Sequence, residues 1–244
     1  MTDQNKTLRE KSQSKILKFF SLAILSFMEL CLFIRYSYVN FFELATFEGM
    51  LYGSANRPFV TRVFTPWLTR LIDSIIPNQL HSIIAAWIRE SPIVTEVIHT
   101  YGVSLDYGVE ALISIFLIYL SLLGFFYFYI KITQKLLQTT TKILVFFVFV
   151  ASLGLLPLFK VGYIYDLPQL FLSTLGLYLI ASNKVLSYFL VFFCAVLNKE
   201  TSIILIFPSF LLFWNPVKTK VKNVVIGLFS QLTIFSLVRL PLLV

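Results

Sequence analysis

The chain has 244 residues, of which 58% are hydrophobic and only 13% charged, with a mean hydropathy of +0.84. Soluble domains carry about 25% charged residues, so there are too few charges to cover a water-facing surface, and the composition points to a polytopic membrane protein. The continuous apolar runs argue against a transmembrane β-barrel, and the net charge of +8 follows membrane topology rather than forming a nucleic-acid patch.

The expectation is an all-α membrane protein: a single polytopic domain, 1–244, with about seven transmembrane helices and amphipathic interfacial helices in a large first extracytoplasmic loop. Residues 1–18 carry Lys6, Arg9, Lys11, Lys15 and Lys18 against Asp3 and Glu10, a cytoplasmic tail by the positive-inside rule. A first span lies near 16–36. It has no small-residue cleavage site, so it reads as retained rather than as a signal peptide. Glu29 falls inside it, where an acid is costly unless it faces the bundle or a wet cavity.

Residues 36–106 form the external loop. Asn40 to Tyr52 reads as a helical aromatic stretch holding Glu43 and Glu48. From Val60 to Ile76, Val60, Val63, Phe64, Trp67, Leu68, Leu71, Ile72 and Ile75 share one broad face, with Arg62, Thr65, Thr69 and Asp73 on the other. This spacing predicts an amphipathic helix lying in the interface, bent or split by Pro66. Short helices follow at 79–89 and 91–101, the second with Ser91 as N-cap and Pro92 in its first position.

Further spans are expected near 107–130, 143–159, 167–182, 185–198, 201–214 and 224–244. The inner loops carry Lys131, Lys135 and Lys142, then Lys184, then Lys218, Lys220 and Lys222. Twelve basic residues and two acids then lie inside, and eight basic residues and ten acids on the other side. That asymmetry fixes an inner N-terminus. Residues 185–214 read either as two short helices meeting at Asn198-Lys199-Glu200 or as one long helix; the charge rule favours two. The chain stops in apolar sequence at Val244, as a truncated chain or a minimal protein would. Cys31 and Cys194 fall in apolar runs and read as core thiols.

With this topology, Arg57 and Arg62 of the loop, the turn at Tyr165-Asp166, the turn at Asn198-Lys199-Glu200 and Arg239 converge on one outer face. Arginines bind phosphate bidentately, and a carboxylate can take a proton from a hydroxyl. The plainer readings are an Asp166–Gln169 capping box, a snorkelling Lys199 and headgroup-anchoring arginines. His81 and His99 stand apart without ligand spacing, so no metal site is expected; the cofactor stays open, a divalent cation included.

The segments Arg57-Pro58-Phe59-x-x-Arg62-Val63-x-x-Pro66-Trp67, Tyr165-Asp166-Leu167-Pro168 and Asn198-Lys199-Glu200-Thr201-Ser202 resemble bacterial integral membrane proteins related to the GT-C glycosyltransferases. The resemblance implies transfer of a sugar from a polyprenyl-phosphate donor outside the bacterial inner membrane. An acid of the first external loop would be the general base. No adjacent acid pair follows the first span here; Glu48 and Glu43, five residues apart, match in place. On this reading Arg57, Arg62 and Lys199 hold the lipid phosphate, Asp166 and Glu200 position the sugar or a basic partner, and Arg239 is a further substrate-binding residue. The other readings are a lipid-linked glycan transporter, an assembly subunit or a polysaccharide polymerase. The lipid bilayer is the partner common to all of them.

Overall fold

The computed structural model describes residues 3–36, 40, 42–138, 141–160, 162–213 and 221–243. Residues 1 and 2 of the expected tail, Lys218 and Lys220 of the expected inner loop, and Val244 lie outside the described residues. Among the described residues the regular structure is helical, with no strand. The helices are α1 (Asp3–Tyr36), α2 (Phe47–Tyr52), α3 (Phe64–Ile75), α4 (Asn78–Glu90), α5 (Pro92–Thr100), α6 (Gly108–Leu137), α7 (Thr141–Phe159), α8 (Asp166–Ala181), α9 (Val185–Asn198), α10 (Ile206–Phe213) and α11 (Val221–Leu243). Short 3-10 segments at Glu43–Ala45, Phe59–Thr61, Leu105–Tyr107 and Glu200–Leu205 join them.

Among the described residues, three helical stretches are long and apolar enough to cross a membrane: Ile16–Tyr36, Leu105–Leu137 and Val224–Leu242. The 30 residues of α6 extend about 45 Å, against a hydrocarbon core of about 30 Å. Four further apolar stretches among the described residues are shorter: Ile143–Phe159, Asp166–Ala181, Val185–Asn198 and Glu200–Phe210. Large apolar side chains such as Phe20, Phe27, Leu190, Phe229 and Leu237 stand on the outer surface. Water would not tolerate so many, and lipid favours them, so the chain is a membrane protein.

The central element is α6, which packs against α1, α3, α4, α7 and most extensively α8. Its approach to α8 depends on Gly124: a Cβ there would fall 2.5 Å from the Phe171 ring. The fully buried Phe33, Phe47, Phe126 and Phe159 fill the space around α6. A second core forms where Tyr188, Phe192 and Val196 of α9 meet α8 and α11. Between α1 and α7, Ser152 donates to Glu29 Oε1, so the acid of the first span faces the bundle. Cys31, expected in the core, lies instead on the exposed side of α1, and Cys194 is half-buried. A small thiol is apolar enough to face lipid.

Residues 185–213 form two helical segments. Helix α9 ends at Asn198, Lys199 is extended with φ −158° and ψ 141°, and the next turn starts at Glu200. The chain then reverses. Tyr188, near the start of α9, reaches the Leu205 carbonyl at 3.4 Å, and its hydroxyl donates to Gln231 Oε1 of α11 at 2.6 Å. Ser209 of α10 donates to the same Gln231 oxygen at 2.9 Å. No continuing straight helix would bring residue 205 back beside residue 188.

The segment between α1 and α6 holds α2 to α5. Helices α4 and α5 fall within a residue of the expected bounds, with Ser91 at the N-cap position and Pro92 first in α5, although the Ser91 side chain makes no capping bond. Helix α3 starts later than expected. It begins at Phe64, so Pro66 sits in the first turn, where a missing N–H costs nothing, and the helix is neither split nor broken. Its polar stripe points inward. Arg62, Thr65 and Thr69 are buried while Trp67, Leu71 and Ile75 are exposed, and Ile83 and Trp87 of α4 extend this apolar ridge. With its apolar side exposed and its polar side buried, α3 leaves its hydroxyls to find partners in the protein.

Candidate functional site

Those partners start at the end of α9. Asn198 is fully buried, so both ends of its amide must be satisfied within the protein. Its Oδ1 accepts from the Thr65 hydroxyl at 2.6 Å. Its Nδ2 donates to the Tyr165 carbonyl at 2.8 Å and to Gln169 Oε1 at 3.2 Å. The Val63 N–H donates to the Leu197 carbonyl at 3.1 Å. Asn198 thereby ties α3, α8 and α9 into one junction.

The expected Asp166–Gln169 capping box does not form. No side chain caps α8 at its N-cap, Tyr165, and Gln169 serves Asn198 instead. Asp166 folds back, its Oδ2 accepting from the Tyr163 N–H at 2.7 Å, while its Oδ1 takes the Lys199 ammonium. Lys199 is therefore paired rather than snorkelling away.

Arg62 enters this junction from the 3-10 turn before α3. Its Nε and Nη2 donate to the two Glu200 oxygens at 3.2 and 2.5 Å, and Nη1 donates to the Tyr165 hydroxyl at 2.6 Å. The guanidinium lies 4.7 Å from the centre of the Tyr165 ring and 5.6 Å from that of Phe59. Lys199 approaches the Tyr165 ring at 5.7 Å. Tyr163 stacks on Tyr165 with ring centres 5.4 Å apart. Tyr165 is completely buried and contacts every charged member of the junction except Glu200 and Arg239.

Arg239, on α11, closes the cluster. It is 5% exposed. Its Nη1 donates to the Thr61 carbonyl at 2.8 Å, and its Nη2 stands 3.9 Å from Glu200 Oε2. Its Nε and Nη2 are buried and make no hydrogen bond among the described residues. A guanidinium carries five N–H donors and is charged at any physiological pH, so this one holds unused donors beside a second, well-anchored arginine.

The electrostatics follow from the packing. Burial pushes the Tyr165 phenol far up; the Arg62 charge opposes this and Asp166 adds to it, so the phenol stays neutral. Burial alone would also raise the Glu200 carboxyl, but hydrogen bonds from Arg62 and a backbone N–H, with the Arg62 and Arg239 charges, hold it below its ordinary 4.5. Burial would lower the Arg62 guanidinium, and its bonds to Glu200 and Tyr165 lift it above the ordinary value. Three cations (Arg62, Lys199 and Arg239) face two carboxylates, leaving one positive charge in a half-desolvated place.

Of the expected site residues, the structure joins Arg62, Asp166, Lys199, Glu200 and Arg239. Arg57 is exposed where Arg62 is buried. Glu43 is exposed, and Glu48, in the first turn of α2, is half-buried. Among the described residues, neither acid forms a hydrogen bond or ion pair with the cluster. The sequence reading missed Thr65 and Gln169 as members, and named Tyr165 only as part of the turn, with no role of its own. Their signal was the polar stripe of α3 and a tyrosine directly before Asp166. His81, expected to stand apart, lies with its Nε2 3.3 Å from Asp73 Oδ1, outside this cluster.

No protein-family model, curated protein or solved structure matches the chain.

Proposed function

We propose that this chain is a membrane glycosyltransferase of the GT-C type, with about seven spans and an inner N-terminus, that transfers a sugar from a polyprenyl-phosphate donor at the extracytoplasmic face. The observation that carries the reading is Arg239: a buried guanidinium with Nε and Nη2 unbonded among the described residues, beside Arg62, in a cluster with one excess positive charge. A phosphate is the anion best matched to paired guanidinium forks, and the apolar ridge from Trp67 to Trp87 suits a lipid-borne substrate.

In the proposed reaction, Glu48 or Glu43 takes the proton of the acceptor hydroxyl. The acceptor oxygen attacks the anomeric carbon, and the bond from that carbon to the phosphate oxygen breaks. The electron pair leaves on the phosphate, where Arg62, Arg239 and Lys199 stabilise it. Arg57 guides the headgroup from outside. Asp166 and Glu200 hold the cations in place until the phosphate competes for them.

The test is sugar transfer from polyprenyl-phosphate sugars in proteoliposomes. Transfer by the unaltered chain that Arg62→Ala abolishes is expected. Full activity in both Arg62→Ala and the Glu43→Ala/Glu48→Ala double variant would sink the assignment.

A second reading is a non-enzymatic transporter or assembly subunit. It is favoured by the closure of Arg62 on Glu200 and of Lys199 on Asp166, which lets the cluster serve as a structural clasp. On that reading no polyprenyl-phosphate sugar is consumed, and Arg62→Ala lowers thermal stability alone.

A further inference from the structure

A different set of side chains converges where the external helices meet α6. Asp73 lies in the last turn of α3 and His81 in the first turns of α4, with the Ile76-Pro77 corner between them. The corner is tight: the Ile76 N–H donates to the Asp73 carbonyl at 3.0 Å and the His81 N–H to the Pro77 carbonyl at 2.9 Å. It folds two residues eight positions apart onto each other, with His81 Nε2 3.3 Å from Asp73 Oδ1. Glu110, in the first turn of α6, brings a second carboxylate. One ligand atom from each of Asp73, His81 and Glu110 lies within 4.8 Å of the others.

The protein alone leaves this group unbalanced. Glu110 is 7% exposed, and among the described residues no lysine or arginine pairs with it or with Asp73. Asp73 Oδ1 is buried and accepts no hydrogen bond. A buried and a half-buried carboxylate beside one imidazole are costly without a compensating cation. The Tyr52 hydroxyl donates to Glu110 Oε1 at 3.0 Å, fixing that carboxylate as outer partners fix metal ligands. The Asp73 and His81 side chains are 25% and 39% exposed, which leaves a path for an ion and its water.

We propose that Asp73, His81 and Glu110 bind one divalent first-row transition-metal ion of the Mn2+ or Zn2+ type, which fastens the α3–α4 corner to the start of α6. An imidazole nitrogen with two carboxylates suits such an ion, whereas Ca2+ and Mg2+ prefer oxygen alone. Around a cation with bonds of about 2.1 Å, neighbouring donors stand about 3.0–3.4 Å apart. The His81–Asp73 pair already has that spacing, and a small closure of Glu110 completes the set. This inference is independent of the glycosyltransferase reading; the ion is a clasp on the external helices.

The full chain, stripped with a chelator and reconstituted in lipid nanodiscs, is titrated with Mn2+. Saturable uptake of one ion per chain is expected, with a rise in Tm and, in pulsed electron paramagnetic resonance, nitrogen coupling from a single imidazole. His81→Gln removes the coupling and weakens binding more than about tenfold; Tyr52→Phe keeps the coupling and weakens binding about tenfold. His99→Gln changes neither. Absence of saturable uptake, or of imidazole coupling, in the unaltered chain overturns the proposal, as does coupling that survives His81→Gln. The reading on the unaltered chain decides the matter even where a variant misfolds.

Discussion

Arg62 sets its Nε and Nη2 against the two oxygens of Glu200, a residue 138 positions away in the chain. This fork locks the segment between α1 and α6 to the turn after α9. Arg62 is nearly buried, whereas the Glu200 side chain is 39% exposed, so solvent screens part of the attraction. Arg62→Ala is expected to cost about 1–2 kcal/mol of stability after that discount. Arg62→Lys should recover only part of it, because an ammonium cannot reproduce the fork. Thermal unfolding in detergent, followed by tryptophan fluorescence, measures both.

The same pair sets an acid limit. The folded Glu200 carboxyl titrates below its ordinary 4.5 because the Arg62 bonds and the two arginine charges outweigh burial. Its contribution is fully present above pH 4.5 and is lost as pH falls through the lower folded value. Glu200→Gln should therefore flatten the acid limb of a Tm-against-pH profile and lower Tm at neutral pH. An unchanged acid limb would show that the pair does not set it.

Asn198 should be the least replaceable neutral residue in the junction. Asn198→Ala strands Thr65 and Gln169 and the Tyr165 carbonyl, all buried groups, and is expected to cost about 2–4 kcal/mol. Asn198→Asp is expected to be worse, since it puts an uncompensated charge against two oxygen acceptors. Urea or thermal unfolding would rank the variants, and Asn198→Ala with an unchanged Tm would refute the role.

Gly124→Ala places a methyl group 2.5 Å from the Phe171 ring. An expected loss of about 1–3 kcal/mol should shrink when Phe171→Leu is added, and a double-mutant cycle reads the coupling. Additive losses would mean that α6 and α8 do not meet through this pair.

The apolar ridge makes an optical prediction. Trp67 and Trp87 are each 53% exposed on the outward side of α3 and α4. In single-tryptophan variants, brominated lipids should quench both indoles, most strongly with bromine close to the headgroups. Quenching by aqueous iodide instead would place the ridge in water.

Much of this architecture is visible in the residue order. The Ser91-Pro92 start of α5 and the charged break at Lys199-Glu200 are local signals, and local chemistry decides them. The inward turn of the α3 polar stripe is not local: periodicity shows two faces and leaves open which one meets lipid. Pro66 misleads for a similar reason, since its effect depends on whether the helix starts at Val60 or Phe64. Asp166 and Gln169 have capping-box spacing, yet a buried Asn198 from another helix outbids it. The group at Asp73, His81 and Glu110 is invisible at sequence level because a proline corner and a distant helix supply its members at no helical spacing. Convergence of Arg62, Asp166, Glu200 and Arg239 was legible because membrane topology confines ionisable residues to few places.

The stacked tyrosines at the junction have an optical consequence. Tyr163 and Tyr165 lie 16° from parallel with centres 5.4 Å apart, close enough for their transitions to couple as an exciton pair. Arg62 and Lys199 pin one of the two rings. The near-ultraviolet circular dichroism of the unlabelled chain therefore carries an intrinsic gauge of whether the junction is closed. An anion that draws the arginine or the lysine off Tyr165 would register as a change in that couplet.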